Sequence, residues 1–233
     1  MVTRNQMTYD ILETLRSELK DDEAIDLRQI EEYVKDYRAD FAKQHFEKDP
    51  FAIDYSFIQP ITQLFVSKVD ISSVTGVTLG KYLIRTAVTI PNTITRHGYV
   101  GTLLSVSPAN IMGQSFEVVD HSKAIASGFG RFNSRQIYAF PYNGYIYLIS
   151  NSDDFKMLRY VNITGVFDNP EEAYIANKVA SGIPTYDYTG DEDYYTPQYL
   201  KRYIIASILK DKYGIILNPP SDKKDNGVHE LEK

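Results

Sequence analysis

The sequence predicts an α+β fold, in which an N-terminal αα-hairpin and a C-terminal helix pack together beside a central antiparallel β-rich part. Three observations point there. Apolar residues recur with helical spacing near both ends of the chain. The middle carries short β-branched and aromatic runs separated by turn residues. The order is helices, then strands, then helices, the arrangement of an α+β domain. The expected division is a helical hairpin over 1–50, a β-rich domain over 51–168, C-terminal helices over 169–217 joining the helical part, and a polar tail over 218–233.

The first helix is expected over 7–19, with Ile11, Leu12, Leu15 and Leu19 on one stripe, ended by Lys20-Asp21-Asp22-Glu23. In the second, Asp26 caps free backbone amides and Gln29 sits three residues on, the spacing of a capping box. Ile25 and Ile30 make the matching hydrophobic staple. Its apolar face reads Ile30, Val34, Tyr37 and Phe41, and it stops near Asp49-Pro50 because a residue before proline avoids helical angles. A short linker between two amphipathic helices reads as a hairpin.

Strands are expected over 57–69 and 82–90, with Pro60 weakening the first as a central strand because it brings no ladder donor. Residues 91–133, broken by five glycines, read as loops with one strand over 115–119. The sharpest β signal lies at 136–149, where Asn143-Gly144 separates two apolar runs and predicts a hairpin with a type I′ turn. A third strand, 157–167, is expected to continue the meander. Asn169-Pro170-Glu171-Glu172 opens a short helix with a cap, a proline and a carboxylate in its first turn. Thr196-Pro197 opens the last, with Leu200, Tyr203, Ile204, Ile208 and Leu209 as core and Gly214 as its stop.

Composition excludes several kinds of chemistry. At 233 residues, 43% hydrophobic and 24% charged, the chain can bury a core. The net charge is −6 and no Lys/Arg run appears, which argues against a phosphate-reading surface. No cysteine is present, so disulfides and thiolate catalysis are out. No signal peptide is expected from the polar first ten residues, and no apolar run reaches membrane-spanning length.

Catalytic and metal motifs are absent or fragmentary, so no catalytic residue, metal ligand or cofactor is assigned. His45, His97, His121 and His229 are too far apart in sequence for a local metal motif. Asp120-His121-Ser122 holds the residue types of a hydrolytic triad, but triad members meet through the fold, and a surface turn is the expected reading. Gly128-Phe129-Gly130 lacks the third glycine and the strand–helix context of a phosphate loop. The unusual number is 19 tyrosines beside no tryptophan. Tyrosine pairs a rigid apolar face with a polar tip, which suits surfaces wet before assembly and buried after it. The linker with Tyr186, Tyr188, Asp191, Glu192, Asp193, Tyr194 and Tyr195 has no regular element to bury its aromatics, and its spacing is not that of an EF-hand. These seven residues are the candidate interface, the acids steering a basic partner and the tyrosines anchoring it.

In the helical pair, Asp26-Leu27-Arg28-Gln29-Ile30 and Tyr37-Arg38-Ala39-Asp40-Phe41 resemble connector and ring proteins of tailed bacteriophages. The hairpin from Tyr138 to Leu148 and the run Val161-Asn162-Ile163-Thr164-Gly165-Val166-Phe167-Asp168-Asn169-Pro170-Glu171 are similar to segments of crAss-like phage proteins. The final helix followed by Pro219-Pro220-Ser221-Asp222 fits the same pattern. The resemblance implies a head-to-tail connector ring protein of a short-tailed phage, the portal-proximal one. It implies a dodecamer whose helical part sits against the portal protein, whose β-rich part meets the next ring or tail protein, and through which DNA passes without specific binding. It carries no catalytic residue, and implies a place in the virion after assembly in the host cytoplasm. A carbohydrate- or peptide-binding β module uses the same tyrosines and is the alternative; a hydrolase acting through paired carboxylates comes third.

Overall fold

The computed structural model describes residues 2–18, 26–48, 54–69, 82–94, 102–109, 115–126, 136–150, 153–183 and 186–215. Leu19, the break at 20–23, Ile25, Asp49-Pro50, His97, Gly128-Phe129-Gly130, His229 and the tail lie outside them, so the expectations made there are not addressed by the structure.

Helix α1 spans Arg4–Glu18 and α2 spans Leu27–Lys48. The Asp26 carboxylate accepts from the Arg28 N–H (3.0 Å), satisfying one of the free amides of the first turn. The other half of the expected capping box does not form, because Gln29 donates instead to the Tyr33 hydroxyl (2.7 Å). The last helix, called α5 here, spans Gln198–Tyr213 and ends on Gly214 in the left-handed conformation. Helices α1, α2 and α5 share one core. Met7, Ile11, Leu12 and Leu15 meet Ile30 and Val34, with Ile204, Ile205, Ile208 and Leu209 closing the group. Burying each such side chain contributes about 1.5–3 kcal/mol, which is what holds short helices of weak propensity together. Tyr203, expected in this core, is instead 61% exposed. The pairs 204/208 and 205/209 own the inward face of α5, and position 203 is rotated about 100° from position 204.

The β part is a seven-stranded sheet in the order β3-β7-β1-β2-β6-β5-β4. The strands are β1 Gln59–Val69, β2 Tyr82–Thr86, β3 Leu103–Pro108, β4 Glu117–Val118, β5 Tyr138–Tyr142, β6 Tyr145–Ser150 and β7 Tyr160–Gly165. All pairings are antiparallel except β4 with β5. The hairpin β5–β6 turns on Asn143 (φ 47°) and Gly144 (φ 74°), both with the positive φ that a type I′ turn requires.

The two ends of the strand order also meet. Val106 of β3 bridges Phe116, the residue before β4, and the Phe116 N–H donates to the Val106 carbonyl at 2.7 Å. The sheet therefore closes on itself as a small barrel. Side chains from around the ring fill its interior, among them Ile61, Leu64, Ile84, Val106, Leu148 and Ile163. Helix α4, Pro170–Ala180, sends Ala173 and Ala176 into the same core. On the outer face of β2, β6 and β5, Leu83, Phe140, Tyr147 and Ile149 pack with Ala124 of the short helix α3, His121–Ala126.

Four expectations need correction. Strand β3 falls in the stretch expected to be loop; it is short and ends in proline, and it is held by pairing with β7 rather than by local propensity. Strand β7 does not extend the hairpin meander but crosses to lie between β1 and β3. Pro60 lies within a central strand, and is tolerated because residues 59–65 pair with β7 alone. Along the other flank, Asn177 of α4 accepts from the Thr62 N–H (2.9 Å) beside the Gln63 bulge (φ 57°). Finally, the apolar face of α4 packs on the sheet, and of the C-terminal helices only α5 shares the apolar core of α1 and α2.

The helical group and the barrel meet along α2. Ala42 and Phe46 pack with Phe57, Ile94 and Val166. Arg38, fully buried, donates to the carbonyls of Phe167 (2.6 Å), Asp168 (3.2 Å) and Tyr195 (3.2 Å). Its side chain thus ties the end of β7, the start of α4 and the linker before α5 to one helix.

Candidate functional site

The candidate residues of the 186–195 linker come together as a folded loop that clasps the N-terminal helix. Glu192 organises it: its carboxylate accepts from the Tyr186 hydroxyl (2.7 Å), the Thr189 hydroxyl (3.0 Å) and the Gly190 N–H (3.0 Å). Burial pushes the Glu192 pKa up, but these donors outweigh it and hold the carboxyl below its ordinary value. Gly190 (φ 87°) runs so close to α1 that a Cβ there would stand 2.2 Å from Asn5 Oδ1. Asn5 in turn donates to the Thr189 carbonyl (3.0 Å) and to Asp191 (2.8 Å), and the Tyr194 N–H donates to the Val2 carbonyl (2.9 Å).

Each member of the seven thus has work within the subunit. Tyr194 is completely buried in the helical core, which leaves it no face for a partner. Tyr188 is packed edge-on to Tyr174 (5.8 Å) with the Arg4 guanidinium 5.3 Å from its ring centre. Burial, reinforced by the nearby Glu171 carboxylate, raises the pKa of the Tyr188 hydroxyl, so it stays protonated. Tyr186 packs against Tyr174 (5.6 Å). Asp193 accepts weakly from the Tyr195 N–H (3.4 Å), and Asp191 is exposed. No local signal marks this clasp, because its partners are more than 180 residues away.

Beside the clasp, an ion network joins three helices. Glu171 at the start of α4 takes Arg4 of α1 at 2.9 Å and Lys35 of α2 at 3.4 Å, with all three side chains largely buried. Among the described residues no group of His, Asp and Glu is arranged to hold a metal ion. His121 opens α3 and stacks on Tyr142 (4.8 Å, 14°), which gives it a packing role on the barrel rather than a place in a surface turn. Among the described residues no helix is long and apolar enough to cross a membrane.

The residues that sequence reasoning missed are large aromatics left in water. One patch combines Tyr55 (86% exposed), at the turn before β1, with Tyr199 and Tyr203, one turn apart on α5. The Tyr199 hydroxyl bonds Asp54, whose carboxyl stays below its ordinary pKa: burial raises it, and the Ser56 and Tyr199 donors more than offset that. A groove of about 370 Å³ adjoins this patch, lined by Tyr55, Asp193, Tyr195 and Gln198 among others. A second patch lies on the barrel. Phe65 of β1 and Tyr160 of β7 are register partners with rings 5.7 Å apart, and Met157, three residues before Tyr160 in the chain, is 83% exposed. A helical-wheel reading of α5 and the alternation of β1 would have flagged Tyr199 and Phe65 as outward-facing.

Outward aromatics thus stand on unlike parts of the chain, the turn before β1, β1 and β7, and α5. Residues 6–230 match the family model described as phage tail ring protein 2 of the crAss-like phages, and the chain belongs to that family. It is a structural protein of the phage tail, assembling with other tail components in the virion. No curated protein matches the chain.

Proposed function

We propose that the chain forms a closed homo-oligomeric ring in the head-to-tail connector, between the portal protein and the tail, and that DNA passes through its lumen. Family membership over nearly the whole chain is the observation that carries this reading. The surface is consistent with it. Among the described residues the end strands bridge each other at Val106 and Phe116, which favours side-chain faces over added strands as contacts between neighbours. A ring of identical subunits needs two unlike faces on each copy, closing by rotation. The helical group α1, α2 and α5 would sit toward the portal and the barrel toward the next ring, with twelve copies to match a dodecameric portal. Each subunit brings a net charge of −6, which disfavours sticking of DNA in transit.

The test is mass photometry with negative-stain microscopy on the chain alone and with its portal. Closed rings in either sample are expected; a strict monomer in both would overturn the reading. The carbohydrate- or peptide-binding alternative predicts instead a monomer with glycan or peptide affinity.

A further inference from the structure

We propose that the helical group holds a buried water site, in which ordered water bridges the hydroxyls of Tyr188 and Tyr194 and the Nε–H groups of Arg4 and Arg38. The site is independent of the ring reading and concerns what the candidate linker does inside the subunit.

The atoms to be satisfied come first. Six buried side-chain polar atoms have no hydrogen-bond partner among the described residues. Gln59 Oε1 and His121 Nε2 belong to the barrel, and the other four are Arg4 Nε, Arg38 Nε and the hydroxyls of Tyr188 and Tyr194. These four come from α1, α2 and the 186–195 linker. Arg4 turns its terminal nitrogens to Glu171 (2.9 Å) and Glu31 (3.4 Å), which leaves its Nε–H without an acceptor. Arg38 turns its own to the carbonyls of Phe167, Asp168 and Tyr195, with the same result. The Arg4 guanidinium lies 5.3 Å from the Tyr188 ring centre, and Arg38 holds the carbonyl of the residue next to Tyr194. Both hydroxyls lie in the fields of Arg4 and Glu171, and that of Tyr194 in the field of Arg38 as well. A buried polar atom left unbonded costs more than an ordinary hydrogen bond returns, so four in one region call for an occupant.

The surroundings select its chemistry. A cation is disfavoured by Arg4, Lys35 and Arg38, and an anion by the Glu171 carboxylate, which is already matched by Arg4 and Lys35 (3.4 Å). What remains is a small neutral molecule that both accepts and donates. Burial raises the pKa of both hydroxyls; for Tyr194, Arg38 opposes this and Glu171 adds to it. Both therefore keep their protons, so the site offers two N–H donors and two hydroxyls able to give or take. Water meets that demand, and a buried water makes about three such bonds. Through it, the two innermost tyrosines of the linker tie that segment to α1 and α2 in addition to the direct bonds of the clasp.

The test uses Tyr188→Phe and Tyr194→Phe, singly and together in the full chain, since each removes one oxygen and leaves the ring to pack. Each single variant is expected to lower the thermal midpoint by roughly 2–4 °C, the shift of one lost hydrogen bond in a chain of this size. The double variant is expected to fall by less than the sum, because the two hydroxyls share partners. An unchanged or raised midpoint in either single variant is the behaviour of a dry, unbonded hydroxyl and would overturn the proposal. A double variant that loses the full sum would separate the hydroxyls and overturn the shared site. Oxygen-17 relaxation dispersion reads the water itself: a long-lived contribution in the parent chain is expected to shrink in the double variant, and an equal contribution in both would overturn the proposal. A midpoint that rises in the parent chain, but not in the double variant, when bromide replaces fluoride at constant ionic strength would place an anion there and overturn it as well.

Discussion

Replacing Arg38 by methionine is the change whose consequence follows most directly from the packing. The substitution keeps much of the apolar stem and removes the guanidinium, which lies 5.7 Å from the Phe57 ring centre. Three backbone carbonyls, those of Phe167, Asp168 and Tyr195, then lose a charged donor in a site without solvent. Hydrogen bonds to a charged group contribute about 1.5–3 kcal/mol each. Relief from burying a cation offsets part of this; desolvation already pulls its pKa below the usual arginine value, against the opposing influence of Tyr194 and Asp168. A net loss of about 3 kcal/mol follows, near the low end for breaking a buried charge network. For a chain of this size that lowers the unfolding midpoint by about 6–12 °C. Thermal unfolding followed by circular dichroism measures it. Hydrogen exchange should rise together around 166–169 and 195–197, because one side chain holds both. A variant within about 1 kcal/mol of the parent protein would refute the idea that Arg38 ties the helices to the barrel.

Two further outcomes follow from the clasp. Gly190→Ala forces a side chain onto a left-handed backbone and against Asn5, so a loss of about 1–2 kcal/mol is expected, read by urea unfolding, with protection lost at the Asn5 and Tyr194 amides. Glu192 has a folded pKa below its unfolded value, so its contribution is present above the ordinary glutamate pKa of about 4.3 and disappears as pH falls through the lower folded value. Protection of the Gly190 amide, relative to its intrinsic exchange rate at each pH, should therefore fall on acidification in that window, and Glu192→Gln should flatten the dependence; an unchanged profile in the variant would contradict the assignment.

Much of the fold was legible because its signals are local. The Asn143-Gly144 turn follows from two residues that tolerate positive φ, and the Asn169 cap from a side chain that reaches the Glu171 N–H (3.0 Å). The parts that were not legible depend on distant partners. Strand β3 exists because β7 pairs with it, and the barrel closes through Val106 and Phe116, whose side chains alone do not announce a bridge. The linker shows the same limit. An acidic, tyrosine-rich linker without regular structure looks free, but Tyr194 is drawn into the core that α1, α2 and α5 create. The exposed aromatics Phe65, Tyr160, Tyr199 and Tyr203 stand instead on regular elements, where composition alone could not separate them from strand and helix fillers.

The central claim is that this chain is a ring subunit of the connector, and a localised cryo-EM reconstruction of the virion neck tests it most directly. A closed ring of copies between portal and tail is the predicted result. Single, unclosed copies, or a location away from the neck, would contradict it.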